Sequence, residues 1–351
     1  MNQGMRELLT GRPPSPLAPV AEGQIVVVSE GRMGHENQSL GLAATLGVED
    51  PEVLTLRPVV SPWLAALLPV SWGYDVAPLA EIKSGIVIGA GWQVSRAIRW
   101  LKRKHPSLFT VQLMKPSGGP RDYDVVALPK HDAKGKWGRF HENVVLTVGM
   151  LNRVKGALLA REWERWKSRL AHCDEPRLAV LLGGDSRHGK VTPAMFMELA
   201  DSVLDWAKKH GGSVMMTASR RTPPDVRKAL KTKMTDQQTV PVHWWAPGEG
   251  ERDNPYFAYL AGCDGAVVTV DSMAMLSEVA TAGKPLYVWG AEEKKLPTKF
   301  RKLIALLRAQ HRLATWEGLL TLRPPAQGLM DTVMVGGFVR ARYGEAHKAS
   351  R

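Results

Sequence analysis

Residues 265–289, GAVVTVDSMAMLSEVATAGKPLYVW, read as a strand, a loop, a helix and a second strand in direct succession. The apolar run at 265–270 stops at Asp271 and Ser272. The apolar positions after Ser272 take helical spacing, and Gly283, Lys284 and Pro285 end the helix before the run at 285–289. Strands that are apolar throughout, rather than alternating, belong to parallel sheets covered on both faces, and a helix between two of them makes a β-α-β unit.

The same pattern extends outward in both directions. Upstream, residues 177–182 (RLAVLL) lead through a glycine pair to a helix that Pro193 opens and Gly211 and Gly212 close after His210. Proline costs nothing in the first turn and glycine is favoured just past the last. Strands are expected at 213–217 and 241–245. In the first half, residues 24–29 (QIVVVS) precede a helix at 35–47 carrying Leu40, Leu42, Ala43 and Leu46. Residues 84–89 (SGIVIG) precede a helix at 93–104, and further strands fall at 108–113 and 123–128. Helix formers fill 151–171 until Asp174, Glu175 and Pro176 break the pattern. The expected fold is α/β, two doubly wound Rossmann-like domains at 23–172 and 173–325. A flexible tail at 1–22 precedes them, and a segment at 326–351, a candidate helix packing back on the N-terminal domain, follows.

With 351 residues, 44% hydrophobic and 23% charged, the chain can bury two cores. Cys173 and Cys263 provide neither a disulfide framework nor a metal-ligand spacing, which suits a reducing compartment. Arg6 and Glu7 interrupt any signal-peptide core, and the apolar stretch at 63–70 is far shorter than the ~20 residues of a membrane span. The expected location is cytoplasmic, with peripheral attachment to the inner membrane left open. A net charge of +13 predicts an anionic partner: nucleotide phosphate, acidic lipid or nucleic acid. Lys and Arg outnumber Asp and Glu by 22 to 15 in residues 1–172 and by 25 to 19 beyond, so neither half is a basic tail. Only six Phe and six Tyr are present, too few for a base-stacking platform, so nucleic acid ranks last.

Ligands of doubly wound sheets sit at the carboxyl ends of the strands, so the loops there hold the candidates. After the first strand come Gly31, Arg32, Gly34, His35, Asn37 and Gln38. Glycines, a cation and helix amides suit phosphate or a sugar hydroxyl, and His35 can serve as a general base near neutral pH. The alternative is that the glycines only turn the chain, with His35 and Glu36 capping the helix. Gly183, Gly184, Ser186, Arg187, His188 and Lys190 lack the Walker spacing but concentrate donors suited to a diphosphate, or form a solvated turn. Ser219, Arg220, Arg221 and Thr222 offer bidentate arginines, or a helix cap with solvated arginines. Asp271, Ser272 and Met273 open a helix whose first amides can hold phosphate oxygens. Glu278, nearly two turns on among Leu276, Val279 and Ala280, can accept both hydroxyls of a ribose. No D-x-D motif is expected to coordinate a divalent ion to the diphosphate, so no metal and no other cofactor is expected beside the nucleotide-sugar substrate. Residues 61–72, with Trp63 and Trp72, lie apart from Arg96, Arg99, Lys102, Arg103 and Lys104 in sequence; together they are either a buried helix and a solvated face or a dock for anionic lipid headgroups.

Taken together, SEGRMGHENQSLGLAATLG (29–47), IGAGWQVSRAIRWLKRK (88–104), TVQLMKPSGGPRDYDVVALPKHD (110–132), LGGDSRH (182–188), TASRRTP (217–223) and NPYFAYLAGCDGAVVTVDSMAMLSEVATAGKPLYVW (254–289) resemble the mitochondrial fission family of the "elongated mitochondria" type, which has many bacterial members. That resemblance implies a GT-B fold, two domains facing a cleft, like the peptidoglycan enzyme that adds N-acetylglucosamine to a lipid carrier. The Gly34-His35 loop is similar to that enzyme's first glycine loop, which has more glycines and a histidine proposed as base. Residues 272–278 are similar to its donor-ribose segment. The implied activity is inverting, metal-independent glycosyl transfer from a nucleotide-diphosphate sugar to a cell-envelope, lipid-linked acceptor. The alternative is a non-catalytic, membrane-associated scaffold or adaptor with the same fold; in plants the family member is known as an adaptor that recruits a dynamin-like protein to mitochondria.

Overall fold

The computed structural model describes residues 25–133, 141–185, 192–249, 253–290, 296–325 and 327–349. The chain divides into an N-terminal unit, Met1–Arg153 with Met330–Arg351, and a C-terminal unit, Val154–Leu329.

The N-terminal unit is built on β1 (Ile25–Ser29), β2 (Glu52–Thr55), β3 (Ile86–Ala90), β4 (Phe109–Leu113), β5 (Val125–Pro129) and β6 (Val144–Thr147). All pair in parallel, in the order β2-β1-β3-β4-β5-β6. Its helices are α1 (Met33–Thr45), the short α2 (Pro62–Leu67), α3 (Val70–Gly73) and α4 (Ala77–Ala80), then α5 (Trp92–Lys104) and the C-terminal α12 (Asp331–Ala349). Side chains alternate across a strand, and the two faces of β1 show what that does. Ile25 and Val27 join Leu42 of α1, Leu46 just past its end, and Val335 and Val339 of α12, while Val26 and Val28 join Val94, Ile98 and Leu101 of α5 with Ala65, Val70 and Leu79. Both faces are covered, so the strand is apolar from Ile25 to Val28.

The C-terminal unit contains α6 (Gly156–Trp166), β7 (Arg177–Leu182), α7 (Pro193–His210), β8 (Ser213–Ala218), α8 (Pro224–Asp236) and β9 (Val242–Trp245). These are followed by α9 (Tyr256–Gly262), β10 (Gly265–Thr269), α10 (Met273–Thr281), β11 (Leu286–Trp289) and α11 (Thr298–Ala309). Its parallel sheet runs β11-β10-β7-β8-β9. Helix α7 keeps the punctuation expected of it: the Thr192 hydroxyl accepts from the Met195 amide, Pro193 follows, and Gly211 at φ 64° closes the last turn.

Helix α6 belongs to this second unit, so the chain divides about twenty residues before the break at 174–176. The reason is its contact with α9, where Trp163 lies so close to Gly262 that a Cβ there would overlap the indole ring. Cys173 and Cys263 are both buried and unpaired, and burial pushes each thiol up to about 11. Among the described residues no helix is long and apolar enough to cross a membrane.

Candidate functional site

In the C-terminal unit β10, β7 and β8 are neighbours, so the loops leaving their carboxyl ends meet on one edge of the sheet. The Gly183 amide donates to the Thr269 hydroxyl at 2.7 Å, the Gly184 amide to Asp271 Oδ2 at 2.9 Å, and the Asp185 amide to the Arg221 carbonyl at 3.0 Å. From β8, the hydroxyls of Ser219 and Thr222 both donate to the Gly183 carbonyl. A Cβ at Gly183 would collide with the Asp271 carboxylate, and one at Gly184 with the Arg221 backbone. The glycine pair therefore allows three loops to touch.

These bonds change the roles that the sequence offers. Ser219 and Thr222 cap no helix, because Pro223 stands at the cap of α8 and their hydroxyls fasten loops instead. Arg221 is not merely solvated: its guanidinium donates to Asp271 Oδ2 at 2.8 Å and to the Gly184 and Asp185 carbonyls at 3.2 Å each. Arg220 is exposed. Ser186, Arg187 and His188 lie outside the described residues.

Beyond this junction Ser272 stands at the start of α10, is buried, and makes no capping bond with its hydroxyl. Met273 begins the helix, whose first amides have no carbonyl a turn earlier to bond. Glu278 is not a surface acid, being only 7% exposed. It accepts a hydrogen bond from the hydroxyl of Tyr256 on α9. Burial pushes the Glu278 carboxyl up to about 7, against the opposing pull of that hydrogen bond. Burial and the neighbouring Glu278 charge hold the Tyr256 hydroxyl well above its usual range. Nothing in the residues around Tyr256 marked it beforehand, since its partner is 22 positions away.

The N-terminal unit holds the other candidate. Gly31 takes φ 77° after β1, its amide donating to the Ser29 hydroxyl, and that hydroxyl donates to Glu36 in the first turn of α1 at 2.7 Å. Arg32, not His35, stands at the helix cap, and it is exposed, as is Gly34. Gln38 is buried and donates to the Gly34 carbonyl at 3.0 Å, which gives it a structural task; Asn37 is half-buried. His35 Nδ1 lies 2.7 Å from Glu30 Oε1. An ionised carboxylate only accepts, so Nδ1 carries a proton, and in the neutral ring the lone pair is on Nε2. Burial raises the Glu30 carboxyl, but the hydrogen bond and charge of His35, with Arg32, outweigh it and leave the group below its ordinary value. Gly91, at φ 95°, walls the pair: a Cβ there would stand 2.7 Å from His35 Nδ1. Sequence reading missed Glu30, although it sits in the same loop, because only the fold shows the loop turning back on itself.

The basic run on α5 is largely engaged within its own unit. Arg96 donates to the carbonyls of Ala65 and Leu68, Arg99 pairs with Asp122 at 3.0 Å, and Lys102 pairs with Asp124 at 2.8 Å. Asp122, Tyr123 and Asp124 do form a D-x-D sequence in this half, but both carboxylates are taken by these cations. Among the described residues no group of three or more His, Cys, Asp or Glu is arranged to hold a metal ion.

Compared with known families, residues 33–343 match the one described as Mitochondrial fission ELM1. The chain belongs to this family. A relative, Mitochondrial fission protein ELM1 of Arabidopsis thaliana, is 30% identical over 231 residues, 60% of this chain and 52% of that protein. The chain thus spans about half the length of that curated relative. In structure, this ELM1-family chain is similar to the UDP-GlcNAc 2-epimerase of Methanocaldococcus jannaschii, with a TM-score of 0.57 and 10% identity over 92% of this chain and 99% of that one. It is also similar to the UDP-GlcNAc 2-epimerase of Neisseria meningitidis bound to UDP-GlcNAc, at TM-score 0.53 and 12% identity, covering 92% and 100% of the two chains. At such identities the likeness establishes the fold, two parallel-sheet Rossmann-like units of GT-B type.

Proposed function

We propose that the chain is a glycosyltransferase that takes a nucleoside-diphosphate sugar as donor. The observation that carries this reading is the junction of the β7, β8 and β10 loops beside the start of α10, with Glu278 farther along the same helix. Carboxyl ends of parallel strands and helix N-termini are where nucleotide phosphates bind. The diphosphate would lie against the first amides of α10, with Ser272 and Arg220 beside it, and the two ribose hydroxyls would donate to an ionised Glu278 in place of Tyr256. Likeness in fold to two epimerases named for a UDP sugar, one of them bound to it, supports a donor of that class.

In the transfer step, His35 Nε2 takes the proton of an acceptor hydroxyl while Glu30 holds Nδ1–H. The hydroxyl oxygen forms a bond to the anomeric carbon, the bond from that carbon to the diphosphate oxygen breaks, and the nucleoside diphosphate leaves with the electron pair. Attack opposite the leaving group inverts the centre, and amides with arginine carry the developing charge. No metal is required on this scheme. The acceptor we infer is a lipid-linked saccharide of the cell envelope.

A second reading, a non-catalytic adaptor of the same fold, is favoured by two observations: Asp271 already balances Arg221, and Tyr256 already occupies Glu278. Isothermal titration of the full chain with UDP, GDP, CDP and their sugars separates the two. Transfer requires one nucleotide to bind and Glu278→Ala to weaken it at least tenfold; silence with every nucleotide at millimolar concentration leaves the adaptor.

A further inference from the structure

We propose that the outer face of α5, with α2 and α3 beside it, is a docking surface for an anionic lipid bilayer. This inference needs no nucleotide site and stands or falls apart from the transfer reaction.

Its apolar part is unusually open. Trp63, Leu67 and Trp72 are 69%, 74% and 69% exposed, and Trp92 at the start of α5 is 50% exposed. Trp63 and Leu67 are four residues apart on α2 and share a face, while Ala65 between them is fully buried. Residues 61–73 contain no charged side chain. Arg96 fixes this knob to α5 through the carbonyls of Ala65 and Leu68, and its guanidinium lies 5.2 Å from the Trp92 ring. Aromatic side chains of this kind favour the headgroup layer of a membrane.

Its charged part lies along the same helix. Trp92, Arg96, Arg99 and Arg103 recur at i, i+4, i+7 and i+11, one stripe on the side of α5 opposite Val94, Ile98 and Leu101. About 16 Å from Trp92, at 1.5 Å per residue, the stripe reaches a hollow of about 230 Å³ lined by Arg99, Lys102, Arg103 and Arg121 with Asp122 and Asp124. Asp122 and Asp124 balance Arg99 and Lys102. Arg103 and Arg121, both exposed, leave the hollow positive by two charges. It is smaller than the roughly 300–1,000 Å³ of sites that enclose drug-sized ligands, and suits a single phosphate headgroup. Neither half suffices alone: apolar insertion plus attraction to acidic headgroups is what holds a peripheral protein on a bilayer.

The test is sedimentation of the full chain with vesicles of phosphatidylcholine, with or without phosphatidylglycerol. The chain is expected to follow the phosphatidylglycerol vesicles and to be released by salt. Arg103→Glu with Arg121→Glu should weaken binding about 25-fold or more, since each surface cation contributes about fivefold. Trp63→Ser, Leu67→Ser and Trp72→Ser together should abolish it. These side chains are largely exposed, so an unchanged melting temperature certifies that each variant is folded. Equal binding to neutral and acidic vesicles, or full binding by the triple variant, overturns the proposal. So does a wild-type chain that ignores both vesicles and sediments as a dimer dispersed by the triple substitution, which would make the face a contact between copies.

Discussion

Which nitrogen of His35 is free depends on one neighbouring carboxylate. With Glu30 accepting from Nδ1, long-range proton–nitrogen NMR should find the Nε2 lone pair in the neutral ring; a ring protonated at Nε2 would remove the base from the proposed transfer. Glu30→Gln leaves a side chain of the same shape without the charge, and should lower turnover roughly 10²-fold or more, the scale of general-base catalysis, while nucleotide affinity stays as it was. Glu278 makes a pH prediction of opposite character. Its folded value of about 7 lies above its usual 4.5, so the stability it contributes is complete below about 4.5 and is lost as pH rises toward 7. The loss is a few kcal/mol at most, at 1.36 kcal/mol per unit. Wild type should therefore lose melting temperature between pH 5 and pH 8 relative to Glu278→Gln, and parallel curves would refute the assignment. Ribose hydroxyls donate to the ionised form, so donor affinity should rise through the same window in wild type and stay flat in the variant. The sequence made Glu278 conspicuous because an acid stood among apolar helix positions; it hid Glu30 and Tyr256 because a hydrogen-bond partner has no periodicity.

At the scale of elements, legibility followed burial. β1, β3, β4, β5, β7, β8 and β10 are buried along almost their whole length and read as apolar runs. β2 and β6, four-residue strands at the two edges of the N-terminal sheet and exposed or half-buried at most positions, went unread. The donor-side loops were legible in composition, not in role: glycines, hydroxyls and arginines suggested phosphate, whereas in the fold Ser219, Thr222, Arg221 and Asp271 first hold the loops to one another. That division of labour is testable. Asp271→Ala leaves the Gly184 amide and Arg221 without their shared acceptor, and should cost about 1–3 kcal/mol in denaturant unfolding. Gly184→Ala forces the β7 loop away from the Arg221 backbone, and should weaken any nucleotide bound there more than it lowers stability. If Gly184→Ala binds UDP-sugar as wild type does, the loop junction is scaffolding alone.

The whole molecule is discontinuous in sequence: the chain leaves its first unit at Arg153, builds the second, and returns at Met330 to finish the first. The returning helix α12 is integral to the N-terminal unit. Asp331 accepts from the amides of Val148 and Gly149 at 3.0 and 2.7 Å, and Thr332 bonds with Asn152. Val335 and Val339 are fully buried against the sheet, and Gly336 admits Thr45 of α1 where a Cβ would overlap it. A domain of this size is stable by only about 5–15 kcal/mol, and baring one face of its sheet exceeds that margin. A chain ended after Leu329 should therefore lose the calorimetric transition of the N-terminal unit and keep that of the C-terminal unit, whose residues are all present. Asp331→Ala is the graded version: two backbone amides lose their acceptor, one of them buried, so the N-terminal transition alone should weaken by about 1–3 kcal/mol. Both transitions surviving truncation would show that α12 merely decorates the sheet. Loss of both would show that the second unit cannot fold without the first, and the two cores would then have to be treated as one cooperative body.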